Sequence, residues 1–368
     1  MKIINITRVS ICIWGMTLCC SCSYKTDDIY QRNVTEETQK TYAKLVELSS
    51  QHQFMFGHHD DTLYGIGWEG EEGRSDVKDV CGDYPAVISF DLGELELGNT
   101  QNLDKVPFSR IKKEIMNQYQ RGGIISLSWH VRNPLTGGDA WDVSDSTTVH
   151  SILPGNDNHK MFMGWLDYVA SFINSLKTPD GTKIPILFRP WHEHTGSWFW
   201  WGKELCSSKD YKTLWRMTVD SLQAKGVDNA LYTYSSSSGL SDTIQYLERY
   251  PGDDVIDVLG FDVYQSAKKS FVADLRQSLS VLEEVGKSHN KPIAITETGY
   301  EGIPDPTWWT GTLLPVIKDY PISYVLVWRN AREKENHFYA PYPGHMSEQD
   351  FVKFYNDPKT LFAKDIKK

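Results

Sequence analysis

The sequence predicts an α/β fold, a single (β/α)8 barrel with its functional site at the carboxyl ends of the strands. Eight short apolar runs recur along the chain, a stretch long enough for a helix follows each run, and polar or ionisable residues collect where the runs end. Near-continuous hydrophobicity in short runs is typical of strands that are buried on both faces, as in a parallel sheet. Alternation of such strands with helices indicates βαβ units.

The predicted strands are bounded by glycine, proline or polar residues. They cover residues 54–59, 86–92, 123–130, 184–193, 230–236, 255–264, 292–298 and 322–329. Helical periodicity is found in residues 108–119, 160–176, 211–223 and 271–289. We expect a first helix over 36–50 to cover the bottom of the barrel and a last helix after Ser347. An open doubly wound sheet is the alternative, but no glycine-rich phosphate loop follows the first run.

The first 22 residues have the features of a secretory signal. Lys2 and Arg8 precede an apolar stretch over residues 11–18, which is too short to span a membrane. Cysteines follow the stretch, which predicts a bacterial lipoprotein signal with Cys22 as the acylated residue. Cys20 is the alternative lipid site, and an ordinary cleaved signal is the other interpretation.

The predicted mature chain consists of a flexible tether over residues 23–35 and the barrel domain over 36–368. We expect an outer-membrane lipoprotein, held by its lipid at the cell surface or in the periplasm. Removal of residues 1–22 takes away two positive charges and changes the net charge from −10 to −12. Nucleic acid and anionic lipid surfaces are therefore not expected partners, and we expect a monomer. Cys81 and Cys206 are too few for a disulfide framework, and the sequence leaves their pairing open.

Polar and ionisable side chains mark the carboxyl ends of the predicted strands, where barrel active sites are built. Carboxylates and imidazoles are not buried at such ends without a partner. The chain also has 13 Trp and 19 Tyr, many of them beside polar residues and glycine, and such rings suit the apolar faces of sugars. The residues at these ends are His58, His59, Asp60, Asp91, His130, His192, Glu193, Tyr264, Glu297, Trp328 and Arg329.

Two glutamates end facing strands of the predicted barrel. Glu193 ends the fourth run and Glu297 the seventh, so their carboxylates can flank a glycosidic bond. One would protonate the leaving oxygen and the other would attack the anomeric carbon, which requires a separation of about 5–5.5 Å. The acid needs a raised pKa, which apolar neighbours or repulsion from the other carboxylate can supply. The structural alternative is an ion pair with Arg189 or Arg329.

Four motifs carry a resemblance to a known family. They are Arg-Pro-Trp-His-Glu-His at 189–194 with Trp198 after it, Gly-Phe-Asp-Val-Tyr at 260–264, Ile-Thr-Glu-Thr-Gly at 295–299 and Val-Trp-Arg-Asn at 327–330. With these motifs in this order, the sequence resembles glycoside hydrolase family 26, best known for β-mannanases, over about residues 40–365. Each motif alone is weak, but their conjunction is highly specific.

The resemblance implies that Glu193 is the acid/base and Glu297 the nucleophile of a reaction that retains the anomeric configuration. It also implies that His192 orients a substrate hydroxyl or the nucleophile and that Tyr264 contacts Glu297. Among the remaining motif residues, Trp328 would form the floor of the cleavage subsite. The predicted substrate-binding set is His130, Trp141, His192, Trp198, Asp262, Tyr264, Trp328 and Arg329.

Within that set, His130, Trp141 and Arg329 would line the non-reducing side, while Trp198 would stack a sugar beyond the scissile bond. Structural interpretations remain open for each of them. The histidine could satisfy a neighbour's hydrogen bond, a tryptophan could belong to the core or the rim, and Arg329 could pair with Asp262 or Glu297.

The sequence thus favours an endo-acting β-1,4-mannanase that hydrolyses β-mannan or galactomannan without a cofactor. Release of mannobiose from chain ends is the alternative, followed by β-glucanase or β-xylanase activity. Residues 133–158 could either close one end of the cleft or frame it. Two other classes are a non-catalytic sugar-binding lipoprotein, which would survive loss of both glutamates, and a metal-dependent hydrolase using His192 and His194. Undiminished turnover after exhaustive chelation would exclude the latter.

Overall fold

The computed structural model describes residues 32–266 and 270–366, and these residues form a closed barrel of eight parallel strands. Each strand pairs with the next, and β8 closes on β1 with Met55 opposite Tyr324. The predicted (β/α)8 fold is therefore confirmed. The barrel strands are β1 Phe54–His59, β2 Val87–Asp91, β3 Ile124–Ser128, β4 Ile186–Arg189, β5 Ala230–Ser237, β6 Val258–Gln265, β7 Ile293–Tyr300 and β8 Ile322–Val327.

Helices connect the strands, and those predicted from periodicity lie within three residues of their predicted bounds. They are α1 Glu36–Gln51, α2 Asp76–Cys81, α3 Phe108–Gln120, α4 Thr148–Ile152, α5 His159–Ser175, α6 Ser208–Ala224, α7 Thr243–Leu247, α8 Phe271–His289, α9 Leu314–Ile317 and α10 Glu348–Tyr355. Short additional elements are a hairpin of Tyr64–Gly65 with Trp68–Glu69, a strand Thr360–Leu361, single helical turns at Leu95–Leu97, Asp253–Val255 and Ala363–Asp365, and a wide turn at Trp308–Leu313.

Two layers of apolar side chains hold the barrel together. The larger layer lies between the strands and the surrounding helices. The smaller one fills the barrel interior at its amino-terminal end, where Met55, Leu187 and Leu231 meet Leu45 of α1. The first helix therefore closes the bottom of the barrel, as predicted. The opposite end is left for polar side chains, which is the usual position of a site in this fold.

The residues just before α1 are docked on the barrel. Arg32 forms an ion pair with Asp257, and the backbone N–H of Thr35 donates to the carbonyl of Asp228 at 2.9 Å. Residues 32–35 of the predicted tether thus contact the folded body. The predicted signal, its acylated Cys22 and the rest of the tether lie outside the described residues. Within residues 32–266 and 270–366, no helix has both the length and the apolar character needed to cross a membrane.

The two cysteines of the barrel domain are free thiols in separate surroundings. Cys206 accepts a hydrogen bond from buried Arg249 at 2.7 Å, whereas Cys81 lies at the end of α2. Burial raises the pKa of Cys206 to about 11 and that of Cys81 to about 12. The two cysteines, whose pairing the sequence left open, are therefore not paired in this structure.

Candidate active site

The fourth strand is shorter than the sequence predicted. It ends at Arg189, and Glu193 lies four residues further on, in the connection that follows. Pro190 cannot donate to a sheet, while Trp191 and Glu193 both have φ near +52°, in the left-handed region. The chain therefore turns twice before Glu193, whose N–H donates to the carbonyl of Ser235 on β5 at 2.9 Å. His192 and His194 therefore do not lie on a strand. The prediction that they form a metal-chelating pair had assumed that they do.

A β-bulge aims Glu297 into the barrel. Ile293 and Ile295 face the outer helices and Ala294 faces the interior, so strict alternation would turn Glu297 outward. The register between β6 and β7 shifts at this point, because Phe261 pairs with Ile295 but the next residue, Asp262, pairs with Glu297. The extra residue reverses the alternation, as bulges near active sites do.

Three carboxylates meet where β4, β6 and β7 end. One oxygen each of Glu193, Asp262 and Glu297 lie within 4.8 Å of one another. Arg189 bridges two of them, since its Nη1 donates to Asp262 at 2.9 Å and its Nη2 pairs with Glu297. The ion pair between Glu297 and Arg189, which was the structural alternative for this glutamate, is therefore present. The phenol of Tyr264 also donates to Glu297, at 2.7 Å, as the resemblance implied.

Burial and the short distances between these carboxylates shift their pKa values. Burial, followed by repulsion from Asp262 and Glu297, raises the pKa of Glu193 well above its ordinary value. Burial raises the pKa of Asp262 to about 7, against the opposing effect of Arg189. Asp262 is held inside the protein, because Arg189 and the hydroxyl of Thr296 donate to its two oxygens. Asp262 is thus connected to Glu297 through Arg189, and its role in substrate binding stays a prediction.

We predict that Arg189→Met destabilises the protein strongly, because two buried carboxylates lose their shared cation. The free energy of unfolding should fall by about 3–5 kcal/mol, measured by urea denaturation. Arg216→Met is the matched control, since Arg216 pairs with Asp254 at the protein surface, where their side chains are 42% and 65% exposed. That variant should lose less than about 1 kcal/mol. Equal losses in the two variants would contradict the prediction.

Two of the predicted histidines form a chain with Asp91 at the end of β2. Asp91 lies 2.6 Å from Nδ1 of His130, and Nε2 of His130 lies 3.2 Å from Nε2 of His192. Burial lowers the pKa of His130, but the Asp91 carboxylate outweighs it and the net shift is upward. Burial and then Arg189 lower the pKa of His192. The hydrogen-bonding interpretation of His130 therefore holds, and it places the ring at the cleft wall.

Aromatic rings extend from these histidines along the mouth. Trp328 stacks on His59 with centroids 4.0 Å apart, and its ring lies 6.0 Å from that of His130. Trp141 stacks on the other side of His130 at 5.1 Å and is 48% exposed. Trp198 is 44% exposed beside Glu193. Trp141 and Trp198 are thus exposed at the mouth, whereas Trp328 is partly buried.

The tryptophans next to Trp198 belong to the core. Trp200 and Trp201 are fully buried, and their indole N–H groups donate to the carbonyls of Val131 and His192 at 3.0 and 2.8 Å. Trp191 packs against both rings. These three side chains are therefore packed in the core and are not exposed at the mouth.

Arg329 lies apart from the three carboxylates. It pairs with Asp104 at 3.3 Å and Glu333 at 2.7 Å, so the predicted alternative of a bond to Asp262 or Glu297 is wrong. Its guanidinium also lies above the ring of Tyr64. Sequence patterns missed Asp104, which lies in a loop, and Tyr64, which lies in a two-residue hairpin strand, because only the fold brings them beside Arg329.

Two clusters of acidic and histidine side chains could hold a metal ion by their geometry, but an arginine pairs with each cluster. Among the described residues these are Glu193 with Asp262 and Glu297, and His59 with Asp60 and Asp104. Arg189 pairs with two members of the first cluster, and Arg329 pairs with Asp104 of the second. A guanidinium thus supplies the positive charge that a metal ion would otherwise bring.

In most glycoside hydrolase families, a pair of carboxylates at close range flanks the bond that is cleaved, and one of them has a raised pKa. Glu193 and Glu297 meet this requirement at the barrel mouth. The fold and the site therefore define the class of the protein, a glycoside hydrolase. The sequence profile of glycosyl hydrolase family 26 matches residues 30–345, and the chain belongs to this family.

Similar proteins include structures and curated sequences. A family 26 β-mannanase from Bacteroides ovatus is 61% identical with a TM-score of 0.89, over 91% of this chain and 98% of that one. A modular endo-β-1,4-mannanase from Cellulomonas fimi is 34% identical with a TM-score of 0.82, over 91% of this chain and 77% of that one. A mannan endo-1,4-β-mannosidase from Bifidobacterium adolescentis is 32% identical over 90% of this chain, which spans 35% of that relative's length.

Proposed function

We propose that this glycoside hydrolase is an endo-acting β-1,4-mannanase that retains the anomeric configuration. The observation that supports the mechanism is the approach of Glu193 and Glu297, whose nearest carboxylate oxygens lie within 4.8 Å. Retaining enzymes hold their two carboxyl groups about 5–5.5 Å apart, whereas inverting enzymes need about 6.5–9.5 Å to admit a water molecule. The spacing therefore supports direct attack by one of the glutamates.

In the first step, Glu193 gives its proton to the glycosidic oxygen while Glu297 attacks the anomeric carbon and forms a glycosyl ester. In the second step, ionised Glu193 takes a proton from water, which hydrolyses the ester and releases Glu297. The raised pKa of Glu193 suits the first step. Arg189 and Tyr264 each donate to one oxygen of Glu297 and fix the direction of its attack.

The choice of mannan rests on the relatives and on the open mouth. The similar proteins from Bacteroides, Cellulomonas and Bifidobacterium are all described as mannanases or mannosidases acting on mannan. Trp141 and Trp198 expose large apolar faces near the carboxylates, which suits a chain of sugar rings. We therefore propose β-mannan and manno-oligosaccharides as substrates.

A second candidate is release of mannobiose from chain ends. Asp104 lies in the loop after β2, and it binds Arg329 through its side chain and Arg332 through its carbonyl, the latter at 2.6 Å. These contacts tie the loops after β2 and β8 together beside Trp328. A closed end at this position would limit the number of sugars on that side of the scissile bond.

A time course of products from linear mannan distinguishes the two modes. Endo action should give a mixture of oligosaccharides and a rapid fall in viscosity from the first minutes. Mannobiose as the first and dominant product would favour the second candidate. Parallel incubations with mixed-linkage β-glucan and β-1,3-xylan test the remaining substrates, and cleavage of either in preference to mannan would reject the proposal.

We also propose that the enzyme is a monomeric lipoprotein anchored through Cys22. The basis is the sequence of residues 1–22, with Lys2 and Arg8 before an apolar stretch that ends in cysteines. The lipid would hold the barrel at the outer membrane, on either its surface or its periplasmic side.

A further inference from the structure

The indole of Trp198 forms a hydrogen bond with the carboxylate of Glu193. Its Nε1–H donates to Oε2 at 2.5 Å, although the ring remains 44% exposed. A stacking platform for sugars needs only the flat face of the ring. The bond from its edge to a carboxylate is a separate feature, and it uses one of the two oxygens of Glu193.

Gly196 provides the surface on which this ring lies. A Cβ placed on Gly196 would be 2.3 Å from Cη2 of Trp198 and 2.4 Å from Cζ3. The N–H of Gly196 donates to the carbonyl of Glu193 at 2.9 Å, so the same tight turn carries the carboxylate and supports the ring. The absence of a side chain at residue 196 therefore permits the position from which the indole reaches Glu193.

We propose that Trp198 is a positioning residue for Glu193: its indole N–H holds Oε2, leaves Oε1 for the glycosidic oxygen, and stabilises the ionised form of the carboxylate. This inference rests on the acid/base role proposed for Glu193. In that role the group must be protonated before glycosylation and ionised before water attacks. A donor on Oε2 helps the second state, because hydrogen bonds to a charged carboxylate are stronger than those to a neutral one.

The groups around Glu193 shift its pKa in both directions. Burial is the largest effect and raises its pKa, and Asp262 and Glu297 add to it from β6 and β7. Trp198 and then Arg189 of β4 lower the pKa. Tyr264 also faces Glu193, and its phenol is neutral because burial raises its own pKa well above the ordinary value. The indole is thus a neutral hydrogen-bond donor that opposes the net upward shift in the pKa of Glu193.

Trp198→Phe tests the inference, because it keeps a flat ring and removes the N–H. The pKa of Glu193 should rise by about one unit, since a hydrogen bond to a charged group is lost. The basic limb of kcat/KM on manno-oligosaccharides, which reports protonated Glu193, should then move up by about one pH unit. The acidic limb of kcat on dinitrophenyl β-mannobioside, where deglycosylation needs ionised Glu193, should move up by a similar amount.

Two further variants complete the experiment. Gly196→Ala should displace the ring and move both limbs in the same direction as Trp198→Phe. Trp141→Phe is the matched control, a cleft tryptophan stacked on His130, and it should raise KM while both limbs stay in place. Unmoved limbs in Trp198→Phe, with only KM raised, would mean that Trp198 is a stacking surface and would overturn the inference.

Glu193→Ala, assayed beside these variants, separates this outcome from failure of the proposed function. Full activity of Glu193→Ala on mannan would refute the acid/base role itself. Loss of that activity together with unmoved limbs in Trp198→Phe would refute only the role of the indole.

Discussion

Glu297→Gln should lower kcat on mannan by about four to six powers of ten. The amide is nearly isosteric, and its single oxygen can still accept from either Tyr264 or Arg189. It is too weak a nucleophile to form the glycosyl ester. The loss should be as large on dinitrophenyl β-mannobioside, because a better leaving group does not replace the nucleophile. Initial rates on both substrates check the prediction, and circular dichroism verifies the fold.

The matched control for this prediction lies four residues along the chain. Glu301 follows β7, pairs with His337 and Lys334, and has a side chain that is 50% exposed. Glu301→Gln should keep the wild-type rate. A fluorinated mannobioside with a good leaving group should label the wild-type enzyme at Glu297 and leave Glu297→Gln unlabelled. Labelling at another carboxylate would assign the nucleophile elsewhere.

Glu193→Ala should separate substrates by the quality of their leaving groups. On mannan the rate should fall by about three to four powers of ten, because the departing sugar oxygen receives no proton. On dinitrophenyl β-mannobioside, formation of the glycosyl ester needs little acid help, so the ester should accumulate and KM should fall. Azide, which attacks without a general base, should restore turnover on this substrate and yield a β-configured mannobiosyl azide.

Glu204 offers the control for this second variant. It is exposed, and it lies in the same connection between β4 and α6. Glu204→Ala should match the wild type on both substrates. Equal losses of Glu193→Ala on activated and natural substrates, without rescue by azide, would show that Glu193 is not the acid/base.

The strands that bear the site could be predicted because they are buried on both faces. Short apolar runs with helical stretches between them leave few other architectures, and β1 was predicted to the residue. The fourth run was predicted too long, since Pro190 and the positive φ of Trp191 and Glu193 end the strand before its apolar character ends. Apolar composition reports burial, whereas hydrogen bonding decides where a strand stops.

The cleft beside Arg329 could not be predicted from sequence patterns. Asp104 lies more than two hundred residues from Arg329 and has no periodic context, so only the closure of the barrel, with β1 between β8 and β2, brings them together. The buried state of Asp262 was missed for a related reason. Its partners Arg189 and Thr296 come from other strands, and their contacts depend on side-chain orientation.

By itself, the sequence determined the barrel and the family and predicted the pair of glutamates, because hydrophobic period and local motifs carry that information along the chain. The tertiary structure decided which way those glutamates point. Strict alternation on β7 would turn Glu297 toward the outer helices, and the bulge opposite β6 turns it inward to Asp262. A bulge is a property of two paired strands, so the physical cause of the site's geometry lies in their register and not in the residues of either strand alone.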